Sequence, residues 1–484
     1  MISLIANVFY HKNKLVVGVN DDLVVKLPKD MKYFKRITSN VDASTIVMGR
    51  RTWFSIPSSQ RPLENRFNII LTRNPELLAI KGNKNHKFMT FQEFRKWSIG
   101  KNDIFIIGGG EIYNTFLELP EDDTLKPSRL YITETSGLLD INKNDRLSTI
   151  TCIPQEYKLI SSTPKATEYS FEYSFLIYKF IPGLKSSENT YLDLLRDVMK
   201  NGKERSDRTR TGTRSVFGRQ TSIDISNSIP ILTTKKVPWK SCIEELLWFI
   251  RGDTDANILK SRGVNIWNDN ATREFLDSRG LSYKEGVLGP SYGWQWRFYG
   301  AKYLEEFSDT SKFDPSVIKG GIDQVQNVID LLIHDPFSRR IVMTSWNPSD
   351  YNQVALPCCH HFVQFYAEDR GSGGLFLNCH YNMRSNDLFL GAPWNILSYS
   401  ILTYILAAKT GMKPGALVYS CTDAHIYNTH FDQVNRQLER QVRSGARLLL
   451  DPSVATKDLR ALSVNDFSII GYFPDGGISG KMAI

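Results

Sequence analysis

Residues 355–361 read Ala, Leu, Pro, Cys, Cys, His, His. They lie between two apolar runs that read as strands, 341–346 and 362–367, with Arg339 and Arg340 just upstream. Cysteine and histidine are the usual zinc ligands, but paired ligands need a short spacer so that both side chains turn to one ion. In an extended chain neighbouring side chains point to opposite faces, so Cys358 and Cys359 diverge. A bridge between adjacent cysteines does not suit disulfide geometry. Metal and disulfide stay as minor readings beside two stronger ones: a small buried hydrophobe, or a thiol whose imidazole and guanidinium neighbours favour the nucleophilic thiolate. That company favours the second and makes one of the two cysteines the candidate nucleophile. Spacing does not say which.

Working outward, 484 residues exceed one ordinary core and predict at least two domains. A hydrophobic fraction of 41% with 12% aromatics is that of a folded globular chain and excludes dominant disorder. The formal charge is +9, yet Lys and Arg run together only in pairs such as Arg50 with Arg51 and Lys235 with Lys236. Scattered charge of this kind suits small anionic ligands better than nucleic acid. The cysteines at 152, 242, 358, 359, 379 and 421 form no disulfide framework, which implies a reducing compartment. With no leader signal and no apolar run long enough for a bilayer, the expectation is a cytoplasmic protein without a membrane partner.

The first half alternates strands and helices. Residues 2–9 read as a buried strand, and Leu27 with Pro28 opens a helix on which Met31, Phe34 and Ile37 recur at helical spacing. Asp30 falls in the first turn. A carboxylate there usually serves the helix dipole, but an apolar wall of Met31, Phe34 and Ile37 would tune it for proton work. The strand 45–48 ends in Gly49, Arg50, Arg51 and Thr52, the strand 68–71 in Thr72 and Arg73, and 104–107 in Gly108, Gly109 and Gly110 before Ile112 and Tyr113. Glycine turns between strand and helix let backbone N–H groups approach a phosphate, although three glycines also mark plain tight turns.

Residues 1–180 resemble dihydrofolate reductase, through Leu27, Pro28, Asp30 and Phe34; 48–53; Arg61, Pro62, Leu63 and Arg66; 107–113; and 131–133. The resemblance implies a mixed sheet flanked by helices, with NADPH as cofactor. It places Asp30, Met31, Phe34, Ile56, Arg66 and Thr133 at the folate and Ala6, Gly18, Gly49, Arg50, Thr52, Thr72, Arg73, Gly108, Gly109, Gly110, Ile112 and Tyr113 at the dinucleotide. In this reading Asp30 holds the pterin and supports its protonation, Thr133 backs Asp30, and Arg66 binds the folate carboxylate. Two departures stand out. Leu23, Val24 and Val25 replace the family's Leu, Pro, Trp, and Asn7 replaces its usual Ala.

Pro182, Gly183 and Ser186 within 181–189 mark a short linker. In the second half, 207–215 is rich in Arg and Thr, which reads either as a solvated loop or as a phosphate grip. The helix 241–251 carries Glu244 and Glu245 amid Leu246, Leu247, Trp248 and Phe249, one expected outside and one buried. Trp267, Asn270, Tyr292, Trp294 and Trp296 offer aromatic surface for a flat heterocycle, with core packing as the alternative.

Residues 190–484 resemble thymidylate synthase, through 207–218, 245–249, 288–292, 338–347, 356–360, 384–395 and 423–430. The resemblance implies an α+β domain and a homodimer. The family's Pro, Cys, His pattern selects Cys359 as nucleophile. It implies catalytic roles for Cys359, Glu245, Asn395 and His360, and a dUMP site of Arg208, Arg339, Arg340, Arg384, Ser385, Asp387, Asn395, His425 and Tyr427, with Arg339 and Arg340 reaching in from the second subunit. Trp267 and Asp387 would face 5,10-methylenetetrahydrofolate, the cosubstrate, and no metal is implied. Met383 and His361 depart from the family pattern. Together the halves resemble the single-chain dihydrofolate reductase–thymidylate synthases of protozoa and plants, which make dTMP from dUMP and reduce the resulting dihydrofolate with NADPH. The alternatives are a chain active only as synthase, given Val24 and Val25, and a nucleic-acid-binding protein on relic folds, given the net charge.

Overall fold

The computed structural model describes residues 1–39, 44–75, 84–101, 103–207 and 210–482. The chain divides into two compact units. The first is Met1–Ser186 with Gln441–Arg447 and Ile470–Gly476, and the second is Ser187–Arg440 with Leu448–Ile469 and Gly477–Ile484.

The first unit is built on the strand Ile2–His11, a mostly apolar run, interrupted by Ser3 and Asn7, that is buried over most of its length. It runs parallel to Ile104–Gly108 on one side and to Arg129–Ser136 on the other. Beyond Ile104–Gly108 follow the parallel strands Thr45–Gly49, Phe67–Leu71 and His86–Met89. Beyond Arg129–Ser136 the antiparallel strands Phe171–Phe180 and Tyr157–Ser162 close the order, giving an α/β mixed sheet flanked by helices. Two neighbouring parallel strands, Thr45–Gly49 and Ile104–Gly108, therefore deliver their glycine ends to the same place.

The helix Pro28–Thr38 starts with Pro at its first position and carries Asp30 in its first turn. Its inward residues are Tyr33 and Thr38, with Tyr33 stacked on Phe175 at 4.2 Å. The expected wall of Met31, Phe34 and Ile37 is not what forms: Met31 is 47% exposed, and Phe34 and Ile37 are half-buried. A step of three residues lags a full helical turn by about 60°, so Met31 and Ile37 lie roughly 120° apart around the axis.

Two late segments complete this unit. Ser444 donates through its backbone N–H to Ile153 O and through its hydroxyl to Tyr157 O, and Arg443 pairs with Asp475 and donates to Phe473 O. Tyr10 donates to Pro474 O, and the Gly471 N–H reaches Glu134 at 3.0 Å. Burial pushes that Glu134 carboxyl up to about 7.

The second unit holds a sheet in the order Lys203–Arg205, Thr213–Asp224, Lys413–Tyr427, Leu375–Asp387, His360–Asp369, Val342–Thr344. The run read as 341–346 is strand only over Val342–Thr344. The helix Gly391–Thr410, buried along most of its length, packs on the two parallel strands, and the helix Trp239–Arg251 packs against it. Trp294 and Trp296 belong to the interior rather than to a ligand-stacking surface: Trp294 packs on Phe298 and Tyr303, and the Trp296 indole donates to Ser345 Oγ at 2.8 Å. Among the described residues no helix is long and apolar enough to cross a membrane, and no His, Cys, Asp and Glu cluster is arranged to hold a metal ion.

Candidate active sites

In the second unit a cavity of about 1080 Å³ opens where the parallel strand pair meets the first turn of Gly391–Thr410. The chain reaches it in extended form, and the two cysteines diverge: Cys359 lines the cavity, whereas Cys358 turns into the interior and is 4% exposed. Arg384 clamps this corner, donating from Nε to Cys358 O at 2.9 Å and from Nη2 to Pro357 O at 2.8 Å. The same Nη2 lies 3.5 Å from Cys359 Sγ. Tyr292 accepts the Cys359 N–H at 2.6 Å.

The expectation of a thiol surrounded by cations needs correction. Burial raises the Cys359 thiol above its ordinary value, and Arg384 and Tyr292 only pull it back. His360 contributes no charge, because burial lowers its imidazole to about 3. The ring stacks on Tyr292 at 3.8 Å and meets Tyr399 OH at 2.6 Å. His361 is also shifted down, chiefly by burial. Two imidazoles beside a thiol look cationic in sequence, and desolvation makes them neutral.

Glu245 points inward from the helix Trp239–Arg251 while Glu244 faces outward to Arg262 at 2.8 Å. Each Glu245 oxygen accepts one indole N–H, from Trp267 at 2.8 Å and from Trp394 at 2.6 Å. Burial nevertheless pushes the carboxyl up to about 7, which leaves it poised to take or give a proton near neutral pH.

Asn395, Asp387, Ser385, His425 and Tyr427 line the same cavity. Asp387 is fixed by the N–H groups of Phe389 at 2.9 Å and Leu390 at 3.3 Å. Burial works against a charge on His425, but Asp423 and Asp387 outweigh it and raise the imidazole. Arg339 and Arg340 are exposed and do not line this chain's cavity. Arg208 lies outside the described residues.

Three features were missed by the sequence reading. One is Trp394, whose indole in the first turn of an apolar helix is a donor in search of an acceptor. Lys235 is buried, donates to Phe389 O, and is lowered to about 8 by burial. Gly477, Ile478, Ser479 and Met482 line the cavity from the far end of the chain, a long-range placement that no local pattern signals.

In the first unit, Thr133 Oγ1 donates to Asp30 Oδ1 at 2.5 Å and Asn7 Nδ2 to Asp30 Oδ2 at 3.1 Å. Burial raises Asp30 despite both donors. Arg66 is nearly buried, donates to Thr38 Oγ1 at 2.8 Å, and lies 5.7 Å over the Phe34 ring. Ile56 packs against the cluster of Ile46, Met48, Trp53 and Ile70.

The set assigned to a dinucleotide is partly brought together. The helices Arg50–Ser55 and Gly110–Leu117 follow Gly49 and Gly109, and neither has a side-chain N-cap. A Cβ built on Gly109 would reach Thr52 Oγ1 at 3.3 Å, and one on Gly49 would reach Ile112 Cγ1 at 3.0 Å. Two uncapped helix starts closed by glycines form a donor set suited to a pyrophosphate. Gly110 has a different reason: its N–H goes to Ser148 Oγ at 2.9 Å, and a Cβ there would strike Thr149 O at 2.4 Å. Tyr113 donates inward to Ile5 O at 2.7 Å. Ala6 is buried in the central strand, and a Cβ on Gly18 would meet Asp22 O at 2.8 Å. Thr72 is half-buried, while exposed Arg73 pairs with Glu111 at 2.7 Å.

A sheet ending in paired glycine turns and, separately, a cavity holding a thiol, a guanidinium and a buried carboxyl define two enzyme classes on one chain. The dihydrofolate reductase family model matches residues 1–180 and the thymidylate synthase family model matches residues 189–484. A bifunctional dihydrofolate reductase-thymidylate synthase of Zea mays is 35% identical over 510 residues, covering 97% of this chain and 95% of that protein. The corresponding proteins of Paramecium tetraurelia and Leishmania major are 35% and 32% identical over 476 and 506 residues, covering 97% of this chain in each case and 96% and 93% of theirs. The chain belongs to the bifunctional dihydrofolate reductase–thymidylate synthase family.

Proposed function

We propose that this chain converts dUMP to dTMP with 5,10-methylenetetrahydrofolate at the cavity of the second unit. The dihydrofolate so formed is reduced to tetrahydrofolate at Asp30 of the first. The observation that carries this reading is that each unit holds its own buried carboxyl at its own site, Glu245 with two indole donors and Asp30 with a hydroxyl and an amide.

In the synthase reaction Cys359 Sγ, as thiolate, adds to C6 of the uracil ring, which makes C5 nucleophilic toward the one-carbon unit. Arg384, 3.5 Å away, favours the thiolate. Binding of the phosphate falls to Arg384, Ser385 and Arg208, and in a homodimer to Arg339 and Arg340 of the partner subunit. Asn395 reads the pyrimidine edge, His425 and Tyr427 hold the ribose hydroxyl, and Asp387 and Trp267 face the folate. Glu245 relays the proton leaving C5, after which elimination and hydride transfer from the folate give dTMP and dihydrofolate. His360, neutral and stacked on Tyr292, serves by holding the cysteine corner in place.

In the reductase reaction Asp30 binds the pterin and supports its protonation, Thr133 orients Asp30, and Arg66 over Phe34 takes the glutamate carboxylate. NADPH, when bound, supplies the hydride. The glycine ends at Gly49, Gly108 and Gly109, with Arg50, Thr52, Thr72 and Arg73, fit its phosphates. The cytoplasm is the compartment that suits six free cysteines.

The test is one reaction containing dUMP, 5,10-methylenetetrahydrofolate and NADPH, with dTMP and NADP⁺ both followed. Equal formation supports the coupled reading. A synthase-only chain is the second reading, favoured by Val25, which is buried with Phe9, Val16, Val24 and Leu27 where the family has Trp. It predicts dTMP accumulation with NADPH untouched.

A further inference from the structure

The family pattern has Ala at position 7, and this chain has Asn7. The replacement is wired to the proton-holding carboxyl. Asn7 lies on the central strand Ile2–His11, in register with Thr133 of the neighbouring parallel strand Arg129–Ser136. Thr133 takes one oxygen of Asp30, and Asn7 Nδ2 takes the other at 3.1 Å. Two residues along the same strand, Thr135 Oγ1 donates to Asn7 Oδ1 at 2.9 Å. Thr135 is 1% exposed, so that hydroxyl is withdrawn from bulk solvent. A hydroxyl donating to Oδ1 fixes which way the amide faces, with Nδ2 toward the carboxylate.

We propose that Asn7, locked by Thr135, is a positioning residue for Asp30: its amide fixes the second carboxyl oxygen and stabilises the ionised form left once the proton has gone to the pterin. The inference rests on the assignment of Asp30 made above. The surroundings of Asp30 leave the amide room to matter. Glu168, held beside the helix start by the Lys29 N–H at 3.1 Å, opposes ionisation. The other titratable neighbours are phenols kept neutral by burial, Tyr33 on the same helix and Tyr113 on Gly110–Leu117. The donors that favour the carboxylate are Thr133 and Asn7.

The experiment compares Asn7→Ala and Thr135→Val with the parent in the full chain. One readout is the pH dependence of dihydrofolate reduction. The other is the titration of the Asp30 carboxyl band in infrared difference spectra of the ligand-free protein, with Asp30→Asn as the blank. Losing a donor to a carboxylate raises its midpoint, so Asn7→Ala moves both curves to higher pH by about one unit. Thr135→Val moves them the same way but less, because the amide remains and is only free to turn. Synthase activity of the same preparations stays at the parent level. Midpoints for Asn7→Ala that coincide with the parent, in a protein of unchanged thermal stability, would overturn the proposal and leave Asn7 a packing residue. Should Asn7→Ala not fold, an unmoved midpoint in Thr135→Val overturns it instead. If Asp30→Asn itself leaves reduction and its pH profile intact, the assignment of Asp30 falls and takes this inference with it, whatever Asn7→Ala does.

Discussion

Asp30 and Glu245 solve one problem with different materials. Both are carboxyls raised by burial, and both accept one donor per oxygen. Asp30 sits in the first turn of a helix, and its donors come from two adjacent strands of one sheet. Glu245 sits mid-helix, and its donors are indoles from residues 22 and 149 positions away. A sheet supplies small, closely spaced hydroxyl and amide groups. A carboxyl on a helix packed against other helices needs long side chains to reach it, and indole N–H groups bring apolar bulk with them. Glu245 is accordingly held between two tryptophans, while Asp30 is held by a threonine and an asparagine.

The strongest way to break this parallel is to neutralise each carboxyl in turn. Glu245→Gln is expected to lower dTMP formation by about 10²–10⁴-fold and leave dihydrofolate reduction unchanged, and Asp30→Asn to do the reverse. Rates measured on the same preparations decide it, and loss of both reactions from either change would end the idea of two independent proton sites.

A second prediction concerns pH. Glu245 is raised from 4.5 to about 7 in the folded chain, so folded protein binds its proton more tightly than unfolded chain does. Stability from this group is complete below about pH 4.5 and is lost as pH rises through 7, by about 3 kcal/mol. Glu245→Gln should flatten that fall for the second unit, as seen in urea unfolding at pH 5 and pH 8. In the first unit Glu134, also at about 7, produces a similar fall that Glu245→Gln leaves in place.

The donors sharpen the comparison further. Trp394→Phe leaves one Glu245 oxygen bare, and Thr133→Val does the same for Asp30. Each loss costs the ionised form about 1–3 kcal/mol and moves the relevant pH–rate midpoint upward by about one to two units. Equal shifts would mean that sheet and helix settings are energetically equivalent. The smallest effect belongs to the surface. Arg73→Ala breaks an exposed pair with Glu111 and should change stability by less than about 0.5 kcal/mol, while raising the KM for NADPH.

Much of this was legible in the chain. The strand–glycine–helix joints at Gly49 and Gly108 follow from local rules, as does the expectation that one of Glu244 and Glu245 turns inward, while the choice of Glu245 came from the family resemblance. What local patterns misjudged were groups whose state depends on surroundings. His360 reads as a cation beside a thiol and is neutral inside the protein. Met31 reads as core and is exposed, because a spacing of three drifts around a helix. Of the stacking and packing readings open for Trp294 and Trp296, packing is the one that holds, since both are interior. Trp394 and the cavity residues near the end of the chain were invisible, since what they meet lies far away in sequence.

The three-part make-up of the first unit has a consequence for synthesis. A ribosome finishes residues 1–186 early, yet Glu134 then lacks the Gly471 N–H, and Tyr10 lacks Pro474. N-terminal domains ordinarily fold first as they emerge. Here the reductase unit reaches its final hydrogen bonding only after residue 476 of 484 has been made. The enzyme that acts second is thus born first yet completed only when nearly the whole chain exists, and a copy cut off at the linker would carry the reductase motifs without the full set of contacts that complete its fold.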